Sequence, residues 1–299
     1  MLSDKELTEE IKKRLEQAQQ NQELIEEQRK ELQLVNSKLA ESEALKSHFI
    51  SNITNEIVNP FASILGLSKN IIASKDSDIA KIKSMAELIH SEAFELDFQL
   101  KNIFTAARIE AGESTPEYIK TDINLLITSI ISAYKYKAEQ KQLKINFSFE
   151  LGKEFEKAHY FRTDPEKLKL ILSNLLSNGI KYSNAANKIE VKAWVENRTL
   201  KVMVKDYGIG IDKKNLELIF DRFKRVDSSI NSLNPGHGLG LSVTKALIDL
   251  MNGDIEIASK RHIGSIFTIS IPESDSAEND GYALDGNEFI FGESDDEVF

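Results

Sequence analysis

Cysteine is absent from the chain. That excludes a disulfide framework, a cysteine-based zinc site and a cysteine nucleophile. A surplus of positive charge is absent too: 38 Lys and Arg face 48 Asp and Glu, a formal net charge of −10. A general nucleic-acid binder needs a basic face for phosphates, so that class is set aside. No stretch approaches the roughly 18 apolar residues of a spanning helix. The N-terminus, Met1 to Glu6, carries no apolar core of a secretory signal. A cytoplasmic protein with no membrane segment is expected.

Lys and Arg are missing altogether from Glu273 to Phe299, where ten acidic residues lie. Residues 1–272 therefore balance, 38 acidic against 38 basic, and the tail carries the whole imbalance. With little apolar content, residues 273–299 are expected to be a disordered acidic tail. Tyr282, Phe289, Ile290, Phe291, Val298 and Phe299 interrupt its charge, so a docking peptide and a solubilising tail both remain open.

Glycine and proline are missing from residues 5–53, which are rich in Glu, Gln, Lys and Leu. That is a helix composition. Every seventh residue from Ile11 is apolar through Ala18, Ile25, Leu32, Leu39 and Ile53, with Lys46 the exception. The companion row is interrupted by Arg14, Asn21, Gln28 and Ser42, so a coiled coil of limited stability is expected over 1–45. A second long helix is read from about Asp78 to Glu110. Ile82, Ala86, Ile89, Ala93, Leu96, Leu100, Ile103 and Ala107 recur at three- and four-residue steps, and Gly112 and Pro116 stop it. With the preceding helix it forms a hairpin over 46–113, too thin to hold a core alone. A four-helix bundle from two copies of the chain solves that.

Past Pro116 the periodicity changes. A helix over Ile123–Lys141 is followed by alternating strands and helices as far as Pro272. Asp164 and Pro165 supply the cap and first position of one helix. The fold class expected is α+β: a coiled coil and helical hairpin, then an α/β sandwich over 117–272.

Three patterns in that sandwich carry chemistry. Asn174, Asn178 and Lys181 stand at i, i+4 and i+7 of the helix after Pro165. An amide oxygen can ligate Mg²⁺ and a lysine can balance phosphate charge, although the same stripe suits any exposed helix face. Next, the strand Leu200–Lys205 ends in Asp206-Tyr207-Gly208-Ile209-Gly210. A carboxylate there can accept from an adenine amino group, and Gly208 and Gly210 allow close approach of the chain. Finally, Gly236-His237-Gly238-Leu239-Gly240-Leu241 opens a helix, offering backbone N–H groups to phosphate oxygens.

In this order and spacing the three resemble the nucleotide-binding domain of sensor histidine kinases, within the wider GHKL ATPase superfamily. Asn174 to Ser183 resembles its N-box, Asp206 to Gly210 its G1 box, Ile219 to Phe223 its F-box, and Gly236 to Leu241 its G2 box. The resemblance implies an ATP site with Mg²⁺ on Asn178 and phosphate contacts from Lys181 and Arg225. It also implies that Asp206 reads adenine, that Asn174, Tyr182 and the residues Gly236 to Leu241 line the nucleotide, and that Thr268 lies near the base. The hairpin then resembles the family's dimerisation and phosphoacceptor domain, with a homodimer, a response regulator receiver domain as partner and an unknown upstream sensor.

One position departs from that family. The first hairpin helix carries Phe49, Glu56, Asn59 and Pro60 of the family pattern, but Asn55 stands where the phosphorylated His belongs and Val58 where Arg is usual. An amide nitrogen is delocalised into its carbonyl and is a negligible nucleophile. Glu56 and Asn59 retain the step that the family associates with dephosphorylating the partner regulator, where a positioned water suffices. The expected function is a histidine-kinase-like signalling protein that binds ATP and Mg²⁺, lacks autophosphorylation, and serves a response regulator as phosphatase or docking partner. Two alternatives stay open: a conventional kinase with an engineered change at position 55, which Val58 argues against, and a non-enzymatic ATP-gated scaffold.

Overall fold

The computed structural model describes residues 17, 20–22, 24–37, 57–75, 78–150, 160–221, 238–275 and 282–283. The chain divides into two compact units, Met1–Asn52 and Ile53–Phe299. In the first, residues 24–37 are helical and exposed, including Ile25 and Leu32 of the heptad row. No helix among the described residues is long and apolar enough to cross a membrane.

The second unit opens with a helical hairpin. Residues 57–72 form α1 and Ile79–Glu110 forms α2, with the chain turning between them near Ser74. Gly112, at φ +71°, ends α2 in the left-handed region where glycine meets no Cβ penalty. The periodic row that marks α2 in the sequence stays half-exposed or exposed in the single chain. Its buried positions are instead Met85, Phe98 and Asn102.

The α/β part follows as β1 (Ile119–Asp122), α3 (Ile123–Gln140), β2 (Lys144–Glu150), β3 (Tyr160–Thr163), α4 (Pro165–Tyr182), β4 (Lys188–Glu196) and β5 (Thr199–Lys205). After two single-turn 3-10 helices come α5 (Gly240–Leu250), β6 (Asp254–Lys260), β7 (Gly264–Pro272) and β8 (Tyr282–Ala283). Five strands form a mixed sheet in the order β2-β4-β5-β7-β6, in which only β2 and β4 pair in parallel. Strict alternation gives the sheet one dry face. Ile189, Val191, Ala193 and Val195 of β4 point inward, as do Leu200, Val202 and Val204 of β5. They meet α3, α4 and α5, which bury Ile127, Leu168, Ile171, Leu175 and Leu247. Each such aliphatic side chain contributes about 1.5–3 kcal/mol by leaving water. The α+β class expected from the sequence is the observed one.

Three strands were not anticipated. β3, β1 and β8 form a second small sheet, and at two to four residues each they are too short to show a period. Within the segment expected to be a disordered acidic tail, β8 pairs with β1, parallel at Lys120 to Tyr282 and Thr121 to Ala283. The start of the tail is also held: Glu273 N–H donates to the Arg198 carbonyl, and the Glu273 carboxylate pairs with the Arg198 guanidinium at 3.1 Å.

Candidate functional site

Helix α4 is the axis of the site. Asp164 caps it by accepting from Lys167 N at 2.9 Å, and Pro165 fills the first turn. Leu168, Leu172 and Leu175 turn into the core while Asn178 and Lys181 stay half-buried. The Lys181 ammonium lies 5.1 Å from the centre of the Tyr182 ring. Asn174 does not share their exposure. It is buried, and its Nδ2 donates to Asn102 Oδ1 of α2 at 2.8 Å.

Asp206 sits one residue past β5 and is buried. Its Oδ1 accepts from Gly208 N at 2.9 Å, and its own N–H donates to the Ser265 carbonyl at 2.9 Å. Burial pushes its carboxyl above the ordinary aspartate value, opposed by hydrogen bonds from Gly208 and Ser265. A Cβ built on Gly179 of α4 would lie 4.0 Å from Asp206 Cβ, so helix and strand end meet there.

The two glycines after Asp206 make close approaches, but the chain they approach is protein. A Cβ on Gly208 would fall 2.0 Å from the Tyr182 carbonyl oxygen, and one on Gly210, at φ +64°, 2.1 Å from that of Lys260. Gly208 therefore seats the loop against the C-terminal end of α4, bridged to Ser183, and Gly210 seats it against the β6–β7 turn. Two neighbours were missed in the sequence. Gly264 (φ +126°) leaves no room for a Cβ, which would fall 2.1 Å from the Asp206 carbonyl oxygen. Ser265 faces inward beside Asp206. Phe267 and Ile269 point to the core, so Thr268 lies on the opposite face of β7, paired with Met203 and Glu256. A glycine followed at once by a small hydroxyl residue was the available signal for Ser265.

At the other end, Gly238 takes φ +69° and α5 starts at Gly240. Leu239, at the cap position, gives no side-chain hydrogen bond to the helix, so its first turn is not capped by a side chain. A Cβ on Gly240 would lie 2.9 Å from Asn174 Oδ1, and Leu241 is half-buried. Gly179 beside Asp206 and Asn174 beside Gly240 are five residues apart, or roughly 7.5 Å along the α4 axis. Asn178 lies on that stretch of helix, and Lys181 two residues beyond it. The structure thus brings Asn174, Asn178, Lys181, Tyr182, Asp206, Gly208 and Gly240 around one helix. Asn55, Glu56, Arg225, Gly236 and His237 lie outside the described residues, while Asn59 is exposed on α1. A separate cleft of about 500 Å³ opens between α2 and α3, lined among others by Lys83, His90, Phe94 and Tyr136, and none of these residues was expected to bind nucleotide.

Known proteins match this arrangement. Residues 163–275 match the family described as histidine kinase-, DNA gyrase B-, and HSP90-like ATPase. The chain is 29% identical over 237 residues to the sensor-like histidine kinase SenX3 of Mycolicibacterium smegmatis, covering 79% of this chain and 60% of that protein. It is 30% identical over 233 residues to the circadian input-output histidine kinase CikA of Synechocystis sp., covering 77% of this chain and 31% of that one. The chain thus spans between about a third and three-fifths of these relatives. Among solved structures, full-length ShkA in complex with AMPPNP has the same fold over 78% of this chain and 46% of its own, at a TM-score of 0.52 and 20% identity. The ATPase-family match over residues 163–275 and the relatives together support a sensor histidine kinase family for this chain.

Proposed function

We propose that this protein binds ATP with Mg²⁺ along α4 and signals through a response regulator without phosphorylating itself. The observation that carries the nucleotide reading is Asp206, a buried carboxylate held in place by Gly208 N at 2.9 Å and packed against the same helix, α4, that carries the Asn174–Gly240 corner. Asp206 accepts from the adenine amino group. Asn178 supplies an amide oxygen suited to Mg²⁺, and Lys181 and Arg225 balance phosphate charge. The first turn of α5 adds backbone donors for an anion. Local donors fit this load: Ser183 Oγ is buried next to Gly208 with no hydrogen-bond partner among the described residues. Bound Mg²⁺ would neutralise charge on the phosphates.

In the hairpin, Asn55 replaces the nucleophile, so the γ-phosphoryl group has no acceptor at that position. Glu56 and the exposed Asn59 are left to orient a water against a phosphorylated receiver aspartate. Two copies joined through the hairpin and the N-terminal helix would present two such faces, in the cytoplasm where ATP and receiver domains reside. Incubation with labelled ATP tests this. The chain is expected to take no acid-labile label, and Asn55→His to gain it. Robust labelling of the unaltered chain would refute the reading. A phospho-receiver should lose its label faster with the chain than with Asn59→Ala, and equal decay would leave docking as the role.

A further inference from the structure

The hairpin reaches into the proposed nucleotide site at one point. Asn102 of α2 and Asn174 of α4 are 7% and 3% exposed, and they are joined by the 2.8 Å hydrogen bond from Asn174 Nδ2 to Asn102 Oδ1. Asn102 spends its own amide N–H on the Phe98 carbonyl at 3.0 Å, which fixes its oxygen as the acceptor. Asn174 is thereby set with its oxygen against Gly240, at the first turn of α5. Its amide nitrogen is in use, and the side chain is almost out of reach of water.

The rest of the contact is narrow. Phe94 and Phe98 meet the Tyr134 ring edge-on, at 5.4 and 6.3 Å between centroids, and Glu95 pairs with Lys137. Toward the N-terminal half of α2 the surfaces part around the 500 Å³ cleft, where Ala86, Ser91, Ser132 and Ala133 are too small to bridge it. α2 is held here over about nine residues with a gap beyond, and its release would uncover Phe98 and Tyr134.

We infer that the Asn102–Asn174 pair is a latch with which the hairpin holds the phosphate end of the nucleotide site shut, so that docking of α2 and binding of Mg²⁺–ATP exclude each other. The inference rests on the nucleotide reading above and concerns the regulation of that same site. Asn174 lies one helical turn from Asn178 and against Gly240, and it cannot turn to a phosphate or a hydrated cation while Asn102 covers it. By linkage, whatever loosens α2 raises nucleotide affinity, and nucleotide loosens α2 to the same degree. A chain competent in only a fraction of its molecules shows an affinity weakened by that fraction.

The test uses the full chain and Asn102→Ala, each titrated calorimetrically with ATP–Mg²⁺ and with adenosine. Loss of one buried hydrogen bond predicts about three- to tenfold tighter ATP–Mg²⁺ binding by the variant, with adenosine affinity changing much less. A merely destabilising substitution would weaken both. Glu95→Gln, which loosens the same contact outside the site, should also tighten ATP–Mg²⁺. Amide exchange of residues 94–104 in the unaltered chain should speed up when ATP–Mg²⁺ is added, a measurement that needs no variant. Equal or weaker ATP–Mg²⁺ binding by a folded Asn102→Ala, or slower exchange in α2 with nucleotide, overturns the latch while leaving the nucleotide site standing. Failure of every chain to bind ATP–Mg²⁺ at millimolar concentration overturns both.

Discussion

Removing the Asp164 carboxylate should unfasten two things at once. The residue is 2% exposed. Its Oδ1 accepts from Lys167 N at 2.9 Å, capping α4, and Oδ2 accepts from the Lys167 ammonium at 2.7 Å and from Glu117 N at 2.8 Å. Glu117 belongs to the connection from the hairpin into β1, so this carboxylate ties that connection to the nucleotide-site helix. In Asp164→Ala the lost cap costs about 1 kcal/mol. Glu117 N–H and Lys167 left without their acceptor add about 1–2 kcal/mol. The expected total is about 2–3 kcal/mol. Asp164→Asn keeps an oxygen for the cap but presents NH₂ where Oδ2 was, so it should lose only the second part, about 1–2 kcal/mol. At roughly 2–4 °C per kcal/mol for a domain of this size, the alanine variant should melt about 4–12 °C below the unaltered protein, with the asparagine variant between them. Thermal unfolding followed by far-UV circular dichroism, with urea titration alongside, reads both. An asparagine variant as stable as the unaltered protein would refute the tie through Oδ2, and equal losses in the two variants would refute the cap.

Other outcomes follow from the site. Gly208→Ala places a Cβ 2.0 Å from the Tyr182 carbonyl oxygen, so overpacking should cost about 1–3 kcal/mol in urea unfolding and weaken nucleotide binding by moving Asp206 off α4. Gly66→Ala, on an open face of α1 with nothing within 4 Å, should instead raise stability by about 0.5–1 kcal/mol. Because burial raises the Asp206 carboxyl, the folded state holds its proton more tightly than the unfolded chain. Stability should therefore fall as pH rises from the ordinary aspartate value to the raised one and be level above it. Adenosine affinity should do the reverse, failing on acidification before an ordinary aspartate would titrate, and Asp206→Asn should flatten both profiles. Deletion of residues 276–299 removes β8, so amide protection in Ile119–Asp122 should drop while Tyr160–Thr163, still paired with β1, keeps most of its own.

Much of the fold was written locally. Asp164-Pro165 announces α4, and the period-two runs of β4 and β5 declare both the strands and their buried face. The elements missed are those whose stability is borrowed: β1 and β3 have four residues each and exist because they pair with each other. The site was legible where backbone chemistry demanded particular residues, as in the glycines around Asp206. Register decides the rest: Ser265 and Thr268, three residues apart on β7, fall on opposite faces, and only Ser265 lies beside Asp206. Asn102 gave no sign at all. A polar residue beside Ile103 reads as surface, and only the meeting of α2 with α4 buries it.

The strand order has a consequence for how the chain is made. β7 follows both β5 and β6 in the chain, yet it lies between them. Until Pro272 has emerged, β5 lacks a neighbour on one side and β6 has none. A nascent chain must therefore hold this sheet incomplete until β7 has emerged. Any truncation inside β7 should yield an aggregating product rather than a weakened binder, which makes the end of the sheet, not the acidic tail, the point at which shortening this protein becomes fatal.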